Sequence, residues 1–489
     1  MAAANCNNNP PGNKTTTTIN RYIVKLTRII TAMCLLPLLA AGPVQAQQQP
    51  SLHERQQQFT DLRFGMFIHF NIPTFMEDDW ADPDASPAIF NPRKLDCRQW
   101  ADAAVSAHMS YGCLTTKHHS GFAIWDTKTT DYNVMHSPLK RDVVKEYVNA
   151  FRAKGLKVML YFSILDTHHQ IRPGHITPQH IAMIKAQLTE LLTNYGAIDA
   201  MIIDGWDAPW SRISYEDVPF GEIYGLIKQL QPACLVMDLN AAKYPAEALF
   251  YTDIKSYEQG AGQHISTSTN RLPALACLPL QQNWFYKTGF ATTPVKDPAK
   301  LVNEIIVPYN KAWCNFILNV APNRDGLFDD NALAALKAIG QQWKNEGPVA
   351  PLPANEAPII AENIAKHQPA NGSWSNDMNI MDFGNDDRFG STWQSNPAVK
   401  QPWYEVAFTK ERSFNMITIT EDKQRITSYR LEYNENGIWK PIPGTGTDAG
   451  RVKIHRFRRV WGNKVRMVIT GFTEAPAIAE FGIYDEKRN

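Results

Sequence analysis

The 489-residue chain predicts an α/β fold, a (β/α)8 barrel-like domain followed by an antiparallel β-sandwich. Three observations predict it. Between residues 60 and 347, short apolar runs alternate with amphipathic helical stretches. The polar residues of those runs gather at their late ends, and beyond a Pro-rich stretch the pattern changes to short alternating segments. Near-continuous apolar strands are those buried on both faces, as in a parallel barrel, whereas period-two alternation marks a half-buried antiparallel sheet.

Eight segments read as barrel strands: RFGMFIHF (63–70), SYGCLTTKHH (110–119), KVMLYFSI (157–164), DAMIIDGW (199–206), ACLVMDLN (233–240), LFYTDIKSYEQ (249–259), QQNWFY (281–286) and CNFILNVAP (314–322). Helices separate several of them. Thr177 can cap a helix with Pro178 in its first turn; Ile181, Ile184, Leu188 and Leu191 share one face, and Gly196 ends it. Val144, Tyr147, Val148 and Phe151 form a similar stripe ending at Gly155, and Asn331 opens the closing helix. The barrel domain is therefore placed at 52–347, a stiff Pro-rich linker at 348–357 and the sandwich at 358–489. MITITED (416–422), SYRLEYN (428–434) and KVRMVIT (464–470), with Gly and Asn turns between them, carry the sandwich pattern.

Ahead of the barrel, residues 1–46 read as a secretory signal peptide. Arg21, Lys25 and Arg28 precede an apolar run of 14 residues, Ile29 to Gly42, and Val44-Gln45-Ala46 supplies the small residues of a cleavage site. The run is shorter than the about 20 residues a bilayer span needs. The expected location is therefore outside the cytoplasm, periplasmic or secreted, with no integral membrane span. The charge balance, 49 Lys+Arg against 48 Asp+Glu, offers no basic excess to attract nucleic acid. A hydrophobic content of 44% supports a large core rather than disorder. Cys97, Cys113, Cys234, Cys277 and Cys314 form no CxxC pair and no disulfide framework; Cys113, Cys234 and Cys314 lie in apolar runs and read as buried hydrophobes.

Barrels of this class place their chemistry at the C-terminal strand ends, where His69, His118, His119, Asp204 and Glu258 fall. Asp204 leaves an apolar strand, and a carboxylate there is either hydrogen-bonded structurally or held for reaction. A carboxylate can attack an anomeric carbon, while a second acid protonates the leaving oxygen. Glu258, two strands on, is the natural second member, and a retaining reaction needs the two carboxyls about 5–5.5 Å apart. Metal ligation is not expected: neither an HxH strand signature nor HExxH occurs. Adjacent strand residues face opposite sides, so His118 and His119 are not both expected to point inward. Neutral or cationic imidazoles donating to sugar hydroxyls fit better. Trp80, Trp125, Tyr161, Trp206 and Trp284 lie near strand ends, and pyranose C–H faces pack on such rings, although each also suits a packed rim. His168-His169 reads as a loop pair.

At these residues the chain resembles the retaining α-L-fucosidases of glycoside hydrolase family 29. RFGMFIHF, LTTKHHSGFAIWDTKTTDYNV (114–134), MLYFS and FILNVAPNRDG (316–326) carry the resemblance over residues 52–347. It implies an exo-acting hydrolase that releases terminal α-L-fucose from glycans by double displacement, without a catalytic cofactor. It places Asp204 as nucleophile, Glu258 as acid/base, and His69, Trp80, His118, His119, Tyr161 and Trp284 against the sugar. The chain departs from the pattern at Ile202, where members often carry Trp, at Leu239, where they typically carry Arg, and at Asp79-Trp80 in place of Glu-Trp. These departures keep another L-sugar, such as L-galactose or a modified fucose, in play beside a non-catalytic glycan-binding protein on the same barrel; metal-dependent hydrolysis is a further rival. Residues 358–489 resemble a discoidin-type module through NIMDFGNDDRFGSTWQSN (379–396) and YRLEYNENGIWKPI (429–442). Such modules frequently bind glycans and can hold a structural calcium.

Overall fold

The structure, a computed structural model, describes residues 49–376, 381–443 and 450–487. The expected signal peptide lies outside them. Eight parallel strands form the first sheet: β1 (Phe64–Ile68), β2 (Tyr111–Lys117), β3 (Lys157–Ser163), β4 (Ala200–Asp204), β5 (Leu235–Asp238), β6 (Lys255–Glu258), β7 (Ala274–Pro279) and β8 (Cys314–Asn319). Their order is β5-β4-β3-β2-β1-β8-β7-β6, a barrel whose ladder is open between β5 and β6. Nearly every strand side chain is buried, as expected of strands covered on both faces.

The open seam is bridged by Asp253, through its carboxylate and its backbone N–H. The Asp253 carboxylate accepts from Val236 N (2.9 Å), Lys228 Nζ (2.7 Å) and Tyr224 Oη (2.9 Å), while Asp253 N donates to the Val236 carbonyl (2.7 Å). The seam explains why the expected strand 249–259 is mostly not barrel. Its first half pairs elsewhere: Tyr251 N donates to the Ile359 carbonyl and Ile359 N to the Leu249 carbonyl, both at 2.8 Å. Only Lys255–Glu258 remains for β6.

The expected seventh strand is also corrected. QQNWFY is a loop over the barrel mouth, and β7 is Ala274–Pro279, framed by Pro273. Its ALACLP sequence lacks β-branched and aromatic residues, so it carries little strand propensity. Burial between β6 and β8 makes it a strand.

Helices cap as their sequences dictate. Pro178–Thr193 starts with Thr177 Oγ1 accepting from His180 N, and Ile184, Leu188 and Leu191 face the core. Val143–Ala153 is capped by Asp142 and buries Val144, Tyr147, Val148 and Phe151. Asp330–Gln342 closes the barrel. The Pro-rich segment packs back on the first helix, Leu52–Leu62: Val349 N donates to Asp61 (2.8 Å) and Leu352 N to Gln57 (2.5 Å). All five cysteines in the described residues are buried and free.

The C-terminal sheet runs β10-β15-β11-β14-β12-β13, antiparallel, with β9 also on β11. Here β9 is Ala370–Gly372, β10 Trp393–Gln394, β11 Trp403–Glu421, β12 Ile426–Glu435, β13 Ile438–Pro441, β14 Val452–Phe472 and β15 Ala477–Tyr484. The long pair β11 and β14 breaks register at 407/412 and 414/416, and such bulges bend a sheet around its own core. That core contains Trp393, Tyr404, Phe414, Leu431, Met467 and Phe481. Met416 and Tyr484 belong instead to the barrel's apolar cluster, so the two halves share a buried interface. Phe389 packs edge-on to Tyr244 (5.5 Å) and Phe250 (5.9 Å), and Arg451 grips Glu247 through two bonds of 2.9 and 2.7 Å. No described helix is long and apolar enough to cross a membrane.

Candidate active site

A cavity of about 270 Å³ opens at the C-terminal ends of the strands. His69, Trp80, His118, His119, Tyr161, Asp204, Glu258 and Trp284, all eight residues singled out above, line it. Asp79, Trp210 and Leu239 join them. Trp125 and Trp206 do not. Both are fully buried in the core, with indole N–H groups spent on Glu190 Oε2 and the Val218 carbonyl.

Asp204 is the last residue of β4 and is buried. Gly205 follows at φ 114°, a conformation L side chains rarely adopt, and an added Cβ would lie 2.9 Å from Ile164. This turn leaves the carboxylate at the strand end. Tyr161 Oη donates to Asp204 Oδ2 (2.6 Å) and Asn240 Nδ2 to Oδ1 (2.9 Å). Burial raises the Asp204 carboxyl above its usual range, and the bonds from Tyr161, Asn240 and Gly205 N oppose that rise.

Glu258, at the end of β6, is half-buried and is pushed up to about 7. Burial is the main cause, the Asp204 charge the second, and a hydrogen bond with Trp284 opposes them. Burial thus raises both carboxyls of the cavity, but their hydrogen-bond support differs. Asp204 is held by donors, while Glu258 keeps its proton near neutrality.

The imidazoles are neutral. Burial lowers His69 to about 3 despite its Asn319 bond, and burial with His69 and Lys117 does the same to His119. His118 lies well below its ordinary value for the same reason, burial first and the neighbouring rings second. Asn319 Nδ2 donates to the Trp284 carbonyl (2.7 Å), so its Oδ1 accepts from His69 Nδ1 (2.7 Å), leaving His69 Nε2 an acceptor. Ser163 Oγ donates to the Leu165 carbonyl (2.9 Å) and accepts from His119 Nδ1 (2.8 Å). His119 Nε2 is then unprotonated, and its 3.9 Å approach to Asp204 Oδ2 is not an ion pair.

The facing argument for His118 and His119 fails for a simple reason. β2 ends at Lys117, and its register with β3 shifts between Thr115 and Lys117, so strand alternation no longer governs the two rings. They sit 3.9 Å apart, both on the cavity. His168 and His169 lie in a loop, as expected, and both are partnered. His168 stacks on Tyr132 (3.8 Å), and His169 bonds the buried Asp166 (2.9 Å).

Sequence reasoning missed Asn240 and Trp210 and gave Asn319 no role. Asn240 stands just past β5, at the same strand-end level that singled out Asp204, which was the available signal. Trp210 packs with Trp80 (5.3 Å) and His119 (4.3 Å) at the mouth. Among the described residues no group of three or more His, Cys, Asp or Glu is placed to hold a metal ion. A larger cavity of about 580 Å³, at the opposite strand ends near Arg63 and Trp313, contains no carboxylate pair.

Known proteins share both parts of the chain. The α-L-fucosidase family model matches residues 40–348, and the F5/8 type C domain model matches 363–481. Alpha-L-fucosidase 1 of Arabidopsis thaliana is 28% identical over 487 residues, spanning 92% of this chain and 90% of that protein. Human tissue alpha-L-fucosidase is 25% identical over 329 residues, 58% of this chain and 66% of its own. The solved alpha-L-fucosidase isoenzyme 1 from Paenibacillus thiaminolyticus shares the fold, with TM-score 0.52, 23% identity and coverage of 86% and 99%.

Proposed function

Since the chain belongs to the α-L-fucosidase family and cleaves α-L-fucosides with retention of configuration, we propose that Asp204 is its nucleophile and Glu258 its acid/base. Asp204 attacks the anomeric carbon of a terminal fucose. The C1–O bond breaks as the Glu258 proton passes to the departing oxygen, leaving a fucosyl ester on Asp204. A water then gives its proton to the Glu258 carboxylate and its oxygen to C1, and Asp204 leaves.

What supports this reading is the pair of carboxyls in one cavity with divergent environments. The coupling also suits the cycle. Part of what holds the Glu258 proton is the Asp204 charge. Esterification removes that charge and lets the Glu258 pKa fall, so the carboxylate left after proton donation stays ionised and free to accept a proton from water. Asn240 and Tyr161 hold Asp204 in place. His69, His118 and His119, as neutral rings, present acceptors and donors to sugar hydroxyls, and Trp80 and Trp284 present apolar faces. The N-terminal pattern supports export, periplasmic or secreted, where fucosylated glycans are met.

The test is trapping. A 2-fluoro-fucosyl fluoride slows hydrolysis of the ester, and peptide mapping of the inactivated enzyme should find the label on Asp204. Asp204→Ala should fold normally and lose turnover. A label on another side chain would overturn the assignment. Comparison of 4-nitrophenyl α-L-fucoside with the α-L-galactoside reads how strictly the site demands the 6-methyl group of fucose.

A further inference from the structure

β5 pairs with β4 on one side only, and its other edge faces the open seam. Yet Asn240, two residues past the strand, must hold its side chain steady against Asp204. Asn is among the preferred helix N-cap residues, because its side-chain oxygen can accept from the first turn. Asn240 stands at that position before the short 3-10 turn Ala241–Lys243 and makes no such cap bond. Its amide turns back to Asp204 instead.

The neighbouring Asp238 accounts for this. Its side chain is fully buried: Oδ1 accepts from Asn240 N (2.9 Å) and Oδ2 from Tyr215 Oη (2.6 Å). A bond to the N–H two residues on fixes the backbone from which the Asn240 side chain departs. Leu239 N, between them, donates to the carbonyl of Ile203 (2.9 Å), the residue before Asp204, so the ends of β4 and β5 are locked together. On the seam side, Asp238 N donates to Thr252 Oγ1 (3.3 Å), whose hydroxyl donates to the Ile254 carbonyl (2.5 Å). Tyr215 is fixed in turn, its buried ring stacked on Tyr251 (3.8 Å, 12°).

Keeping a carboxylate in so dry a place is costly, and burial pushes Asp238 up to about 7. The bonds from Tyr215 and Asn240 and the Lys243 charge oppose that rise, while the Asp204 charge adds to it. Asp238 does not line the sugar cavity, so it serves the reaction only through what it holds.

We propose that Asp238 is a positioning residue for the nucleophile: buttressed by Tyr215, it holds the Asn240 backbone so that Nδ2 stays aimed at Asp204 Oδ1. The proposal rests on the assignment of Asp204 as nucleophile. An Asn240 amide that strays leaves the buried Asp204 carboxylate one donor short and free to turn, which slows its attack whatever the leaving group.

The test reads that attack alone, as the rate of inactivation by 2-fluoro-fucosyl fluoride at saturation. In Asp238→Ala this maximal rate should fall about 10- to 100-fold, with the half-saturating concentration little changed. Asp238→Asn keeps an oxygen for Asn240 N and should recover most of the rate. Tyr215→Phe keeps the ring on Tyr251 but removes the hydroxyl, and should lose about three- to tenfold. In the Asn240→Ala background neither Asp238→Ala nor Tyr215→Phe should lower the rate further, because both act through Asn240. If Asp238→Ala does not fold, Tyr215→Phe carries the same cycle. Losses that multiply in the double variants overturn the proposal, as do wild-type rates in the single ones. A higher half-saturating concentration at unchanged maximal rate also overturns it, placing Asp238 with sugar binding. A wild-type label on a side chain other than Asp204 would instead count against the nucleophile reading.

Discussion

Glu258→Gln tests the acid/base assignment most sharply, because its size can be worked from the site. Lifting this carboxyl from 4.5 to about 7 corresponds to about 3 kcal/mol of preference for the neutral form. At pH 6 a group at about 7 is about 90% protonated, against about 3% for one at 4.5, so burial and the Asp204 charge enlarge the proton-donating population roughly thirtyfold. The wild-type kcat/KM for a fucosylated oligosaccharide should accordingly fall as pH rises through about 7. Fluoride needs little help to leave, so the profile for α-L-fucosyl fluoride should lack that limb. Glutamine keeps the shape but has no proton to give, and kcat/KM for the oligosaccharide should fall about 10²–10⁴-fold. The fluoride should lose far less. The same substitution has a stability signature. A carboxyl raised in the folded state binds more protons there than when unfolded, so the native state loses stability as pH rises from about 4.5 to about 7. Glu258→Gln should therefore raise the melting temperature at pH 8 and leave it nearly unchanged at pH 4. An oligosaccharide profile that keeps its alkaline limb in the glutamine variant, with little loss of rate, would refute the reasoning.

Asn240→Ala removes a donor that opposes the rise of Asp204; kcat/KM should fall about 10- to 100-fold for oligosaccharide and fluoride alike, and the acid limb should move to higher pH in both profiles. Gly121→Ala puts a Cβ against Asp166 at a positive φ and should cost about 2 kcal/mol or more, read as a lower denaturation midpoint. Phe389→Ala, at the half-buried contact with Tyr244 and Phe250, should cost about 1–3 kcal/mol in thermal denaturation while the fluoride's KM changes little.

The C-terminal module has a structural part in this. It packs on residues 244–250, the connection between β5 and β6, through Phe389 and Arg451. The same connection begins with Asn240, the donor to Asp204, and includes Lys243, which pairs with Asp207 three residues past the nucleophile. The module thus braces the loop at the barrel's open seam.

Much of the molecule is determined by local sequence. Buried parallel strands must be apolar along their length, which marks β1, β3, β4 and β8, and caps such as Thr177 and Asp142 start helices whose apolar stripes face the core. Strand-end carboxylates and imidazoles stand out because burial without purpose would be costly, so Asp204, Glu258, His69, His118 and His119 are legible one by one. What the tertiary structure alone decided concerns contacts between distant segments. β7 is a strand because β6 and β8 flank it, not because ALACLP favours extension. Residues 249–251 leave the barrel because Ile359, more than a hundred positions on, supplies the bonds of Leu249 and Tyr251. Trp125 and Trp206 are core while Trp80 and Trp210 are mouth, a distinction set by what packs over each ring. The proton on Glu258 follows from the same cause: a carboxyl's charge preference depends on burial and on a second carboxyl from another strand, and both exist only once the barrel has closed.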